Sequence, residues 1–331
     1  MSNLDQKTGE PVPVIDPIVP DGPRPLISVM IPTYNPGHYL RETIDSVLSQ
    51  DPGPDVMEIE VIDNCSTKDD VKSMVQELGR GRIRFHQQPN NIGPIPHSNS
   101  CIQRSRGEWV HVLHADDTVR PGFYRRVQDI VRDNRDIGAI AFRIMYINEN
   151  SLWIGLSDLE ARRPGLLGRD FTARQLTAQR FQFVGMIVRR SLYEKIGAFR
   201  TDLAHAADWE MWNRVVLRSA VFYEPDPLAC YRIHEGSDSA SLFKTGENVE
   251  DERRAIRVSC SYLPEDHSKE VYREAMRQAA IRATRRMRKY FTEGDYKAAF
   301  AQMSQAFRCN AAPLMIARVI CTIGLAFVER P

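Results

Sequence analysis

The sequence predicts an α/β fold, a mostly parallel sheet flanked by helices, with a helical C-terminal appendage. Between residues 27 and 147, apolar runs of strand character alternate with amphipathic helical stretches in units of roughly 25 residues. Polar clusters follow three of these runs, where the carboxyl edge of a parallel sheet would gather them. Beyond residue 248 the pattern is helical throughout.

Taken in order, residues 1–25 are rich in proline and acidic residues and read as an extended, largely unstructured and flexible arm. Residues 27–31 form a short strand ended by Pro32. Residues 38–49 form a helix with Leu40, Ile44, Val47 and Leu48 on one face. Strands at 59–62 and 83–85 alternate with helices at 69–78 and 96–104. A fourth strand at 109–113 precedes a helix at 122–132 and a longer strand at 137–146. From 151 the chain is loop-rich, with a strand expected at 181–188 and a helix at 208–217. Short edge strands are expected at 221–223 and 230–233. Long helices at 270–290 and 295–307 follow, the first arginine-rich and the second with an apolar stripe.

A chain of 331 residues can bury one large core plus an appendage. Its net charge of +1 gives no reason to expect a nucleic acid partner. Six scattered cysteines show no paired spacing and suit free thiols in a reducing cytosol. The apolar stretch at 313–328 is broken by Arg318 and is shorter than the ~20 residues that span a bilayer. Together with the basic helix before it, that stretch suits peripheral contact with a membrane surface.

The chemistry concentrates at strand ends. His114-Ala115-Asp116-Asp117 closes the run at 109–113, and such a cluster can hold a divalent cation against a phosphate. It can equally end a strand and cap the helix announced by Pro121. Asp63, at another strand end, can accept a hydrogen bond from a nucleotide base, or shape a turn with Ser66. Pro32, Thr33 and Tyr34 can supply backbone groups and a ring surface to the same base.

Pro32-Thr33-Tyr34-Asn35, Val61-Ile62-Asp63-Asn64-Cys65-Ser66, Asn91-Ile92-Gly93 and the stretch from Gly107 to Asp117 occur in an order that resembles the family 2 glycosyltransferases. Asp208-Trp209-Glu210-Met211-Trp212 and Tyr231-Arg232-Ile233-His234 continue the resemblance, which covers about residues 26–240. It implies a GT-A fold, with a nucleotide-sugar-binding half at 26–147, an acceptor half at 148–245 and a helical region at 246–331. It also implies a UDP-, dTDP- or GDP-linked donor, a glycan or lipid-linked acceptor, a divalent cation (Mn²⁺ or Mg²⁺), and inversion at the anomeric carbon. The setting it implies is polysaccharide assembly at the cell envelope, from the cytoplasmic side.

On the resemblance, Asp116 is the principal metal ligand, with Asp117 close by, and His234 reaches back to the metal or the diphosphate. His114 stands where the family has an acid; it binds the metal, contacts ribose or does neither. Asn91 and Asn99 fall in the segment lining the nucleotide, although Ser98 stands where the family often has arginine. Asp208 matches the general base, and its place at a helix start should lower its pKa. Ala207 replaces the acid that often precedes it. Arg232 is expected to pair with diphosphate or with a core acid, and Trp209 to stack on a sugar, with Trp212 in the core. The departures at His114 and Ala207 also admit a non-catalytic protein that binds sugar nucleotides as a scaffold.

Overall fold

Strand β1 (Ile27–Thr33) is buried along its whole length, as befits a run of apolar and small residues in a central parallel strand. In the computed structural model, which describes residues 12–18 and 22–328, β2 (Met57–Asp63) and β3 (Arg84–Gln87) extend the sheet to one side of β1. Strand β4 (Trp109–Val112) pairs parallel on its other side. Helices α1 (Tyr39–Leu48), α2 (Val71–Gly79) and α3 (Pro94–Arg104) make the crossovers. The order β3-β2-β1-β4 reverses its direction of growth between β1 and β4, and ligands bind beyond the carboxyl ends of strands at such a switch. The three polar clusters therefore share one edge of three adjacent strands.

After β4 the chain departs from simple alternation. Residues following the His-Ala-Asp-Asp cluster do not cap a helix: β5 (Thr118–Val119) pairs antiparallel instead, and Gly122, with φ 93°, starts α4 (Phe123–Asp133). Strand β6 (Ile137–Ile147) turns back through β7 (Trp153–Leu156), and β8 (Gly165–Leu166) leads into α5 (Arg169–Thr177). The strand expected at 181–188 is a 3₁₀ turn, Phe183–Gly185, and then β9 (Met186–Arg189), wedged antiparallel between β4 and β6. Helices α6 (Arg190–Ile196) and α7 (Ala207–Arg218) follow. The two expected edge strands are one, β10 (Ala220–Arg232), paired parallel with β6 and bulged between Glu224 and Ala229. Pro225 and Pro227 lie in the bulge, where a missing N–H costs no ladder bond.

Residues 12–18 are extended, as their prolines dictate, but they are docked and not free. Ile15 is buried in the main core, Ala198 N donates to Pro13 O (2.7 Å), and the Arg190 guanidinium holds Asp16 O at 3.2 Å. One buried isoleucine and two anchored backbone groups outweigh the compositional preference for an arm. Residues 1–11 lie outside the described residues.

Five helices complete the described residues: α8 (Asp238–Thr245), α9 (Glu247–Ser261), α10 (Glu265–Thr292), α11 (Tyr296–Cys309) and α12 (Pro313–Val328). Val249, Ile256, Ala275 and Ala279 from α9 and α10 share a core with Trp209 and Trp212 of α7, so these helices buttress the sheet domain. All six cysteines are free. The α10 arginines are partly engaged: Arg282 and Arg286 converge on buried Glu252, at 2.6 and 3.3 Å. Burial pushes the Glu252 carboxyl up, but the two guanidiniums outweigh it and hold it at about 2. That pairing stabilises the fold at neutral pH, since the carboxyl is far more acidic folded than unfolded. Glu252→Gln should lower the unfolding free energy by about 2–3 kcal/mol at pH 7 in urea titrations. The deficit should shrink as the pH falls toward 2, where the wild-type carboxylate is itself protonated.

Candidate active site

A cleft of about 910 Å³ opens beyond β1, β2 and β4. Its floor is set by the loop after β1, where Asn35 takes up φ 45°, tolerable for asparagine. The Asn35 side chain accepts from Thr67 N and Lys68 N at 2.9 Å, and Asn35 N donates to Ser66 Oγ at 2.8 Å. Pro32, Thr33 and Tyr34 line the cleft, with the Tyr34 ring exposed to it. Asn91 lines it too and accepts from Asn64 Nδ2 at 3.1 Å, while Asn64 Oδ1 accepts from Ile92 N.

Asp63 takes the turn-forming role. Its buried carboxylate accepts from Ser66 N, Ser66 Oγ and Gln87 Nε2, so Asn64 and not Asp63 faces the cleft. Asn99 is also structural: it donates to Phe199 O and accepts from Phe199 N, both at 2.8 Å, clamping a loop one hundred residues away. Pro94, Ile95, His97 and Ser98 reach the cleft from α3, and of these His97 is the titratable residue to which the sequence assigned no role. Its Nε2 lies 2.9 Å from Ile62 O, Nδ1 is buried without a partner, and burial holds the imidazole at about 4, hence neutral.

At the opposite wall, His114, Asp116 and Asp117 offer ligand atoms within 4.8 Å of one another. His234 Nε2 sits 3.0 Å from Asp116 Oδ2, bringing the fourth candidate into the group. The His114 ring packs on Phe183 at 4.5 Å, and the His234 ring on Tyr39 at 5.0 Å. Burial works against ionisation of Asp116, but the His234 hydrogen bond and the two imidazoles hold its carboxyl below the usual range. Asp117 goes the other way, pushed up by burial and by the charge on Asp116. Its Oδ1 accepts from Arg232 N, while Oδ2 is buried with no partner. A bare buried carboxylate oxygen beside a second acid and two imidazoles is a donor set that fits a divalent cation. No lysine or arginine is among the residues lining the cleft.

Of the two partners expected for Arg232, diphosphate or an acid of the protein, the structure shows an acid, Glu42, and Arg232 does not line the cleft. Its side chain is 0% exposed beneath the cluster. Nε donates to Asp116 O (2.7 Å), Nη1 to Asn148 O and Ser151 Oγ, and Nη2 to Glu42 Oε2 (2.9 Å), with Tyr39 stacked 4.6 Å below. Thr43 completes the cradle, its hydroxyl within 2.9 Å of both Ala115 O and Asp117 O. Thr43 was legible in principle: it is the polar residue on the buried stripe of α1, between Leu40, Ile44 and Val47.

Asp208 sits in the first turn of α7, accepting from Gln179 Nε2 (2.6 Å) and Trp209 N (2.7 Å). The expectation of a lowered pKa is corrected. Burial dominates the two backbone hydrogen bonds and raises the carboxyl to about 7. Asp208 does not line the cleft. Trp209 is a core residue, not a sugar platform. Its indole donates to Gln175 O (2.7 Å) under the Arg282 guanidinium, and Trp212 is buried as expected.

Residues 28–197 match the model of Glycosyl transferase family 2. The chain is 27% identical over 242 residues to an uncharacterised protein of Mycobacterium tuberculosis, covering 70% of this chain and 75% of that one. Its structure superposes on Staphylococcus aureus TarS 1–349, solved in complex with UDP-GlcNAc, with a TM-score of 0.63 at 19% identity over 91% and 89% of the two chains. The mannosyltransferase PcManGT of Pyrobaculum calidifontis, solved with GDP-Man and Mn²⁺, gives 0.53 at 18% identity over 97% and 90%.

Because the folded pKa of Asp208 lies above its unfolded value, folding stability falls as the pH rises from about 4 to about 7, and the cost persists above that. Asp208→Asn removes a buried charge while keeping an acceptor for Gln179. At pH 8 it should raise the unfolding free energy by about 2–4 kcal/mol, and at pH 4 by little, in paired thermal scans.

Proposed function

The chain belongs to glycosyltransferase family 2 and has the GT-A fold, and from its cleft we propose an inverting transferase that moves a sugar from a nucleotide diphosphate to an acceptor hydroxyl. The carrying observation is the cluster of Asp116, His234 and His114 lining a cleft with no lysine or arginine, with the bare oxygen of Asp117 buried beside them. A bound Mn²⁺ or Mg²⁺ would act there as a Lewis acid toward the leaving diphosphate. Asp116, His114 and His234 would hold it, two imidazoles favouring Mn²⁺ over Mg²⁺.

Tyr34 offers its exposed ring to the base, and Pro32 and Thr33 offer backbone groups. Asn64 and Asn91 present amides beside them, while Asp63 acts through Ser66 to hold the loop carrying Asn35. UDP-, dTDP- and GDP-linked sugars fit this description equally. The acceptor is a glycan or glycolipid hydroxyl, and Asp208 takes its proton as the hydroxyl attacks the anomeric carbon. A carboxyl raised to about 7 is well matched to that transfer near neutral pH. Gln179 orients the carboxylate until the acceptor hydroxyl replaces it.

A donor panel followed by nucleotide release tests this reading. Turnover should require a divalent cation and vanish in Asp116→Ala. In Asp208→Asn, kcat should fall by about 10²–10⁴-fold with donor binding retained. For the wild type, kcat/KM should climb with pH and level off above about 7 as Asp208 ionises. Donor binding with no turnover under any acceptor would favour instead a sugar-nucleotide-binding scaffold, the reading that His114 and Ala207 invite.

The setting proposed is the cytoplasmic face of the membrane, in cell-envelope polysaccharide assembly. No helix among the described residues is long and apolar enough to cross a bilayer. Helix α12 nevertheless exposes Leu314 (83%), Ile316 and Ile320 (63%), which suits a peripheral anchor. Deleting residues 313–331 should shift the protein from membrane to soluble fractions, and an unchanged distribution would sink the anchor.

A further inference from the structure

The β6–β7 hairpin carries apolar side chains that the sheet leaves uncovered. Leu152, Trp153 and Ile154 are 62%, 64% and 53% exposed, and Leu156 and Leu159 follow them in the open. Successive strand residues point to opposite faces, so a ribbon exposing both Trp153 and Ile154 stands out as a ridge and does not lie against a core. The ridge begins at the site. Arg232 grips Asn148 O and Ser151 Oγ at the turn, and Glu149 between them lines the cleft.

The chemistry around the ridge says what covers it. Arg162 and Arg163 lie exposed just beyond Leu159 and make no ion pair among the described residues. The acids of the same loop are already matched, Asp158 with Arg180 and Glu160 with Arg174 and Arg180. An exposed tryptophan among aliphatic residues, rimmed by unpaired arginines, has the composition of the interfacial zone of a bilayer with anionic headgroups.

We propose that the β6–β7 ridge is a bilayer-contact surface that holds the mouth of the cleft at an anionic membrane, where a lipid-borne acceptor is presented. The acceptor half of that statement rests on the transferase reading above; the contact itself does not. Anionic lipid draws in the arginines, and Trp153 and Ile154 enter the interface. A contact beside the catalytic cluster also orients the cleft, which an anchor at the C-terminal end does not do by itself.

Trp153 is its own reporter, because the other three tryptophans, Trp109, Trp209 and Trp212, are buried. The full chain is mixed with phosphatidylcholine vesicles, with and without phosphatidylglycerol. Tryptophan emission should shift to the blue by about 10 nm with the anionic vesicles only, as expected of a ring entering the interface. Co-sedimentation of Ile154→Asp should weaken by roughly tenfold or more, with nucleotide binding and near-ultraviolet dichroism unchanged. Wild-type sedimentation by the variant overturns the proposal. So does emission that stays fixed while the protein sediments, or shielding of Trp153 from iodide that grows with protein concentration without lipid, the mark of a second copy. Vesicle binding that depends on the ridge in a protein with no turnover counts against the transferase reading and for the ridge.

Discussion

The buried guanidinium of Arg232 is the interaction on which the site depends. A charge with no exposure must be satisfied locally, and its donors reach α1 through Glu42, the metal-cluster loop through Asp116 O, and the β6–β7 turn through Asn148 and Ser151. Its backbone N–H meets Asp117 on top of these. Four segments distant in sequence are thereby fixed around one cation. The candidate cluster is loop structure, but a buried charge hydrogen-bonded through all three of its nitrogens gives it the rigidity of an element. Thr43 adds a neutral clamp from below, so the carbonyls of Ala115 and Asp117 have settled positions.

The same geometry leaves the acids above it in tension. Asp116 and Asp117 lie side by side, and burial and mutual repulsion drive Asp117 toward its neutral form while the imidazoles keep Asp116 ionised. Arg232 offsets part of this through its backbone N–H and its charge, but burial and Asp116 outweigh it, and its side-chain hydrogen bonds go to two carbonyls, a hydroxyl and Glu42. With no lysine or arginine along the cleft, an incoming diphosphate would meet the acidic side chains of Asp116, Glu149 and Glu235 with no cationic side chain of those types to offset them. A divalent cation held by the cluster would resolve both imbalances together, which is why the donor set and the missing arginines argue for the same chemistry.

Much of this was legible in the sequence. The alternation of strands and helices up to residue 147 follows from hydrophobic period, and strand ends fall where apolar runs stop, so Thr33, Asn64 and Asp116 landed on one edge as read. Side-chain direction was less accessible. Arg232 and Trp209 occur in motifs that suggest ligand contact, yet both point inward, because the direction of a residue at a strand end or in a first helical turn depends on what packs against it. Period also failed at β10, where a proline-containing bulge split one strand into two apparent edges. Residues 12–18 show the same gap: composition specified an extended backbone but carried no information on the surface that receives Ile15.

Asp208 shows most clearly why a local rule gives way. Position in the first turn of α7 lowers a carboxyl's pKa through the helix dipole and two backbone N–H groups, and both are present. Removal from water acts on the same group with the opposite sign and is larger, because the dipole supplies a fraction of a charge and burial removes a whole hydration shell. The outcome suits the proposed chemistry better than the local rule would have. A carboxylate held strongly acidic would keep its charge and accept protons poorly, whereas one near 7 is ionised for about half the population at neutral pH and has a stronger pull on an alcohol proton. Its burial, with Gln179 hydrogen-bonded to the carboxylate, also limits the access of bulk water to Asp208. On the transferase reading, the stability given up by burying that charge separates transfer to an acceptor from hydrolysis of the donor.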